Sequence, residues 1–175
     1  MEEKLRQIKM LLMDVDGVMT DGRFFYLDND TEAKAFDVKD GFALRLAAKT
    51  GLKTGIITGK MSPIVERRAK ELDINEFHQG FFNKVEVYNQ IKKRQGLFDA
   101  EIAYIGDDLF DLGVLNLVGF SACPANAVPE VKQVVDYVCE RDGGRGAVRE
   151  IIEMILKSKH KWGILVDKFI EGKTF

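Results

Sequence analysis

Ile8-Lys9-Met10-Leu11-Leu12-Met13-Asp14-Val15-Asp16-Gly17-Val18-Met19-Thr20-Asp21 is the stretch whose reading decides the fold. Apart from Lys9, residues 8–13 are apolar, the pattern of a strand buried on both faces, as in a parallel sheet. The run ends in acid, with Asp14, Asp16 and Asp21 close together and Gly17 among them. Carboxylates at the carboxyl end of such a strand sit where open α/β sheets bind ligands. Strand alternation puts Asp14 and Asp16 on one side, and Gly17 can take the angles of a sharp turn. Two carboxylates held this close repel each other unless a cation lies between them or one is protonated. Taken alone, an acidic turn capping the next element explains them equally well.

Outward from this stretch the chain alternates between strand and helix patterns. Residues 1–7 read as the ragged start of the first strand. Residues 22–27 carry Phe24, Phe25 and Tyr26, residues 28–31 form a polar turn cluster, and residues 32–38 alternate again, so the segment reads as a β-hairpin. A hairpin is marginal on its own, and aromatic surface of this kind marks a contact, with the body of the domain or, the favoured reading, with another subunit. A helix capped by Asp40 and stopped by Gly51 precedes a second buried strand, Lys53 to Thr58. Ser62 as cap and Pro63 in the first turn open the next helix, which runs to Leu72. A short apolar piece at 77–79 precedes the Gly80 turn, and Asn83-Lys84 then begins a helix to about Gln95. Then come a strand at 102–106, a helix to Leu117, a strand at 119–122, a helix after Pro129, a short strand at 137–139 and a last helix ending at Lys157. The expected fold is α/β, a doubly wound, mostly parallel sheet. The expected organisation is one domain over residues 1–175, with a hairpin insert at about 22–38 and a C-terminal tail at about 158–175.

The composition agrees. A chain of 175 residues suits one domain, and 46% hydrophobic with 31% charged residues is ordinary for a globular protein. A net charge of -2 gives none of the basic footprint of nucleic-acid binders. No run is long enough to cross a bilayer and the start is not signal-like, so no membrane partner is expected. Cys123 and Cys139 then read as buried thiols of a cytoplasmic protein.

Four element boundaries carry polar chemistry: Asp14 and Asp16, Thr58, Lys84, and Asp107 with Asp108. In a parallel sheet these can converge although they are far apart in sequence. Together they form an inventory for phosphoryl transfer. Asp14 would attack phosphorus, and Asp16 would protonate the departing oxygen and later accept a proton from water. Asp14 and Asp107 offer hard oxygens for Mg²⁺, while Thr58 and Lys84 would hold the phosphoryl oxygens. A signalling receiver domain also uses an acidic cluster, a Thr and a Lys. The order of residues differs: in sequence a receiver has its acceptor Asp on a middle strand and its Lys after the Thr near the end, unlike Asp14 on the first strand here. The segment between Asp21 and the first helix leaves no room for a separate lid domain, which suits an open site or one covered by a partner. Arg45, Lys60 and Arg68 add positive charge suited to a substrate bearing a carboxylate as well as a phosphate.

In order, residues 14–22, Thr58-Gly59, Lys84 and residues 106–111 resemble the four motifs of the haloacid dehalogenase-like phosphohydrolases. Residues 36–41, 57–62, the Arg68 helix and residues 143–150 are similar to a capless branch of that family. Its substrate is an eight-carbon acidic sugar phosphate, 3-deoxy-D-manno-octulosonate 8-phosphate. The resemblance implies a Rossmann-like core without a cap domain and a Mg²⁺-dependent phosphatase acting through an aspartyl phosphate, on the route to lipopolysaccharide precursors. Another acidic sugar phosphate, such as a sialic acid 9-phosphate, is the alternative substrate. The resemblance puts metal ligands at Asp14, the Asp16 carbonyl and Asp107. It puts substrate contacts at Asp16, Asp37, Val38, Lys39, Asp40, Gly41, Arg45, Lys60, Arg68, Lys84 and Asp108. Position 60 departs from the family's usual Arg; Lys keeps the charge and loses the bidentate fork. The family is a homotetramer in which hairpins build a barrel between subunits and a C-terminal tail can cover a neighbour's site.

Overall fold

The computed structural model describes residues 1–28 and 31–173. Helix α1 (Glu2–Gln7) leads into β1 (Met10–Met13), followed by a hairpin of β2 (Phe25–Leu27) and β3 (Thr31–Ala33). Then come α2 (Val38–Thr50), β4 (Lys53–Thr58), α3 (Pro63–Glu71), β5 (Glu76–Gln79) and α4 (Lys84–Gln95). After a 3-10 turn, β6 (Ile102–Ile105) runs through a second such turn into α5 (Leu112–Leu115), β7 (Phe120–Cys123), α6 (Pro129–Lys132) and β8 (Tyr137–Val138). Helices α7 (Ala147–Ser158) and α8 (Trp162–Ile170) close the described chain.

The six-stranded sheet has the order β5-β4-β1-β6-β7-β8 with every pairing parallel. One core lies between the sheet and α1, α2, α3 and α7; the other lies under α4, α5 and α6. This is the doubly wound arrangement the alternation of elements predicts. The chain builds outward from β1 to β5, returns through α4, and builds outward again from β6. The reversal therefore falls beside β1, and an α/β sheet opens its ligand crevice at such a point. Met13 lies level with Ile56 on one side and Ile105 on the other, so the polar ends of β1, β4 and β6 lie side by side.

Several local expectations are corrected. Residues 1–7 do not start the strand; Glu2–Gln7 is a helix, with acids in its first turn, an Arg6–Glu2 ion pair at 2.8 Å and Leu5 buried. Asp40 does not cap α2. That role belongs to Asp37, whose carboxylate accepts the amides of Lys39 and Asp40, while Gly51 ends the helix in the left-handed conformation. Asp40 is buried and accepts the amides of Gly146 and Arg149 at 3.2 and 2.7 Å, so it caps α7 instead. Ser62 precedes α3, but its hydroxyl donates to Glu32 rather than capping the helix. The tail contains a helix, α8, that apolar composition alone did not announce; Phe169 packs on Phe42. The turn expected at 28–31 includes Asn29 and Asp30, which lie outside the described residues. No helix among the described residues is long and apolar enough to cross a membrane.

Candidate active site

Asp14 follows β1 directly and is 2% exposed. Its Oδ1 accepts the amide of Val15 at 2.7 Å, and its Oδ2 lies 2.9 Å from Nζ of Lys84. Lys84, the first residue of α4, is itself buried and also donates to Oδ1 of Asp111 at 2.7 Å. Burial pushes the Asp14 carboxyl up to about 6, against the downward pull of the Lys84 ammonium. Asp107 is pushed further, to about 8, by burial and then by the charges of Asp14 and Asp111.

Oxygens of Asp14, Asp107 and Asp111 all lie within 4.8 Å of one another. The three are not equivalent. Asp111 is saturated: Oδ1 accepts from Lys84 and Tyr104, and Oδ2 from the amides of Asp107 and Asp108. Oδ1 of Asp107 is buried with no hydrogen-bond partner. A buried carboxylate oxygen left bare is costly, and clustered like charges add to the cost. A hard divalent cation held by Asp14 and Asp107 would relieve both, so the donor set fits Mg²⁺. Gly17, at φ +94°, is required here twice: the angle strains other residues, and a side chain would collide with the Asp107 carboxylate.

A cavity of about 520 Å³ opens over this cluster. Asp14, Asp16, Thr58 and Lys60 supply its polar lining, and Phe24, Phe82 and Phe110 stand around it. Thr58 is buried at the end of β4 and lines the same cavity as Asp14. Lys60 is ion-paired to Glu32 of the hairpin at 2.5 Å, and that hydrogen bond holds its ammonium above the usual lysine range. The sequence-predicted catalytic residues, Asp14, Asp16, Thr58 and Lys84, thus come together, with Asp107 beside them. The further contacts implied by the resemblance do not all join them. Asp37, Val38 and Lys39 line a separate cavity with Arg145. Gly41 lies against the Arg68 side chain, whose guanidinium carbon is 5.6 Å from the Phe36 ring centre; Arg45 donates to the carbonyl of Glu71. The Asp108 carboxylate caps its own turn at Leu109.

Residues 57–152 match the family model of the haloacid dehalogenase-like hydrolases. The 3-deoxy-D-manno-octulosonate 8-phosphate phosphatase KdsC of Escherichia coli (strain K12) is 38% identical over 158 residues, spanning 90% of this chain and 84% of the relative. The chain belongs to this phosphatase family of haloacid dehalogenase-like hydrolases. The phosphatase of this family from Moraxella catarrhalis, solved with magnesium, phosphate and Kdo (3-deoxy-D-manno-octulosonate), superposes with a TM-score of 0.94. It is 39% identical, with 96% of this chain and 97% of that chain covered. The cobalt-bound enzyme of Haemophilus influenzae gives a TM-score of 0.91 at 36% identity, with 95% of this chain and 99% of that chain covered.

Two residues of this family member's site escaped the sequence reading. Asp111 is the buried acceptor that holds Lys84, and its signal was available: it follows Asp107 by four residues, one turn later, behind a buried strand. Lys34 makes an ion pair with Asp16 at 2.6 Å, and nothing local announces it because the pairing depends on how the hairpin folds back.

Proposed function

We propose that this chain is a Mg²⁺-dependent phosphomonoesterase that converts Kdo 8-phosphate to Kdo and inorganic phosphate, a step toward lipopolysaccharide precursors. The observation that carries the reading is Asp14, buried at the end of β1 and held by Lys84 at 2.9 Å in a cavity shared with Asp16 and Thr58. The side-chain oxygen of Asp14 attacks phosphorus; the phosphorus–oxygen bond to the sugar breaks, and its electron pair goes to the sugar oxygen. Asp16 gives that oxygen a proton. Water then attacks the aspartyl phosphate, Asp16 takes a proton from it, and phosphate leaves with Asp14 restored. Lys84 and the Thr58 hydroxyl hold the phosphoryl oxygens. Asp14, the Asp16 carbonyl and Asp107 would hold Mg²⁺, which when bound offsets the repulsion between nucleophile and phosphate and the charge on the phosphoryl oxygens. Support for both metal and product comes from the Moraxella catarrhalis relative, whose structure holds magnesium, phosphate and Kdo.

The same reading covers assembly and compartment. We take residues 1–175 as one catalytic domain of a cytoplasmic homotetramer assembled through the insert expected at about 22–38, whose observed hairpin is β2 and β3. Phe25, Tyr26 and Leu27 are exposed on that hairpin, with Tyr26 80% accessible, which supports a partner surface. The further contacts, Asp37 to Gly41, Arg45, Arg68 and Asp108, are read as substrate-recognition residues. Those distant from Asp14 would act where a neighbouring copy completes the site. The test is phosphate release from Kdo 8-phosphate with and without Mg²⁺, using the parent and Asp14→Asn. Turnover is expected only for the parent with metal, and an Asp14→Asn protein that is folded and active at the parent rate refutes the nucleophile.

A further inference from the structure

The hairpin is fastened to the site by its return strand and the residue that follows it. Glu32 lies in β3 and Lys34 just past its end, and both side chains reach the site. Glu32 accepts from Lys60 at 2.5 Å and from the Ser62 hydroxyl at 2.8 Å. Lys34 donates to both oxygens of Asp16, at 2.6 and 2.8 Å. The Phe24 ring lies beside both ammonium groups, 4.6 Å from Lys34 and 3.9 Å from Lys60. The hairpin's outer surface is open, yet the Lys34 side chain is only 1% exposed. Withdrawing an ammonium from water is expensive unless a well-placed anion compensates it. A lysine serving only the hairpin could have stayed solvated or paired with Glu32. This one is buried, and its carboxylate partner is the acid–base candidate.

We infer that Lys34 is a positioning residue for the reaction: it fixes the Asp16 carboxyl in the orientation from which that group serves the sugar oxygen. The inference rests on the proposed role of Asp16. When Asp16 carries its proton, one oxygen can stay with Lys34 while the other presents the proton to the bridging atom. As the phosphorus–oxygen bond breaks, its electron pair and the Asp16 proton both end on the sugar oxygen. Lys34 remains an ammonium throughout and transfers nothing. Without it, Asp16 is free to swing toward solvent, and an acid displaced by an ångström loses much of its effect.

The experiment compares Kdo 8-phosphate with p-nitrophenyl phosphate on the parent, Lys34→Met and Lys34→Arg, all with Mg²⁺. A sugar alkoxide needs its proton to leave; nitrophenolate does not. The ratio kcat/KM reports the steps up to release of the leaving group, so it isolates the acid step. For Lys34→Met, kcat/KM on Kdo 8-phosphate should fall about 10- to 100-fold, carried by kcat, while that on p-nitrophenyl phosphate stays within about threefold. Lys34→Arg, which keeps a cation, should restore most of the ratio between the two substrates. A loss confined to KM would make Lys34 a substrate contact and overturn the inference. So would parent-like rates, or equal losses on both substrates that Arg does not repair. If the parent itself releases no phosphate from Kdo 8-phosphate but acts on p-nitrophenyl phosphate, the substrate assignment fails instead.

Discussion

Replacing Asp111 by Asn tests whether the site is held together by one saturated buried carboxylate. The substitution conserves shape and removes one charge. In the parent, Oδ1 accepts from Lys84 at 2.7 Å and Tyr104 at 2.6 Å, and Oδ2 from the amides of Asp107 and Asp108 at 2.9 and 3.2 Å. An amide must place its NH₂ at one of these positions, where it meets two donors and nothing to accept. Either orientation therefore loses two hydrogen bonds, and Lys84 keeps only Asp14 as its carboxylate partner. Hydrogen bonds to charged groups contribute about 1.5–3 kcal/mol each, so the loss is roughly 3–6 kcal/mol, in line with breaking a buried ion pair. For a chain of this size that lowers Tm by on the order of 10–20 °C. Tyr104→Phe removes one donor and leaves the carboxylate its other partners, so it should cost only about 1 kcal/mol. Urea or thermal unfolding followed by circular dichroism measures both. An Asp111→Asn protein within about 1 kcal/mol of the parent would refute the reasoning, because the four contacts could not then be formed as described.

Other expectations follow from the same geometry. Mg²⁺ at a hundred times its Kd should stabilise the protein by about 2.7 kcal/mol, seen as a rise in Tm, and Asp107→Asn should remove most of that rise together with turnover. Glu76 is held at about 2: burial would raise it, but Arg94, Gln95 and His78 bonded to it outweigh burial. Its stabilisation is therefore complete above the ordinary carboxylate range, near pH 4.5, and is lost as pH falls toward 2, by about 1–2 kcal/mol. Glu76→Gln should flatten that part of the acid unfolding curve, and an unchanged curve would exclude this source. Replacing Tyr26 and Leu27 by Ser should reduce the assembled mass in size-exclusion with light scattering while circular dichroism stays unchanged; an unaltered mass would remove the hairpin from the interface.

The main elements were legible because each carries its own local physics. The apolar run before Asp14 has the pattern of a doubly buried strand, Lys53–Thr58 repeats that pattern, and Gly51 stops its helix in the left-handed conformation. The errors occur where two signals compete. Asp37 and Asp40 are both plausible caps within one turn, and the choice between them is made by α7, more than a hundred residues later, whose first amides need Asp40. Ser62 has the right residue type for a cap, but Glu32 of the hairpin takes its hydroxyl. Helix α1 depends on Leu5 meeting the core, a contact no six-residue window contains.

The site divides along the same line. Asp14, Thr58, Lys84 and Asp107 stand at the ends of elements whose order fixes the sheet, so once the sheet is right these groups must meet. Asp111 and Lys34 owe their importance to partners rather than position. Asp111 matters because Lys84 arrives at it from α4 with its charge already shared by Asp14. Lys34 matters because a hairpin that could have stood clear of the domain folds back onto the turn after β1. A charge's burial and pairing are tertiary quantities, and a sequence records the ammonium without recording which carboxylate it will meet. Because the hairpin folds back onto Asp16 beside the cavity over Asp14, it is where specificity and rate should prove hardest to separate.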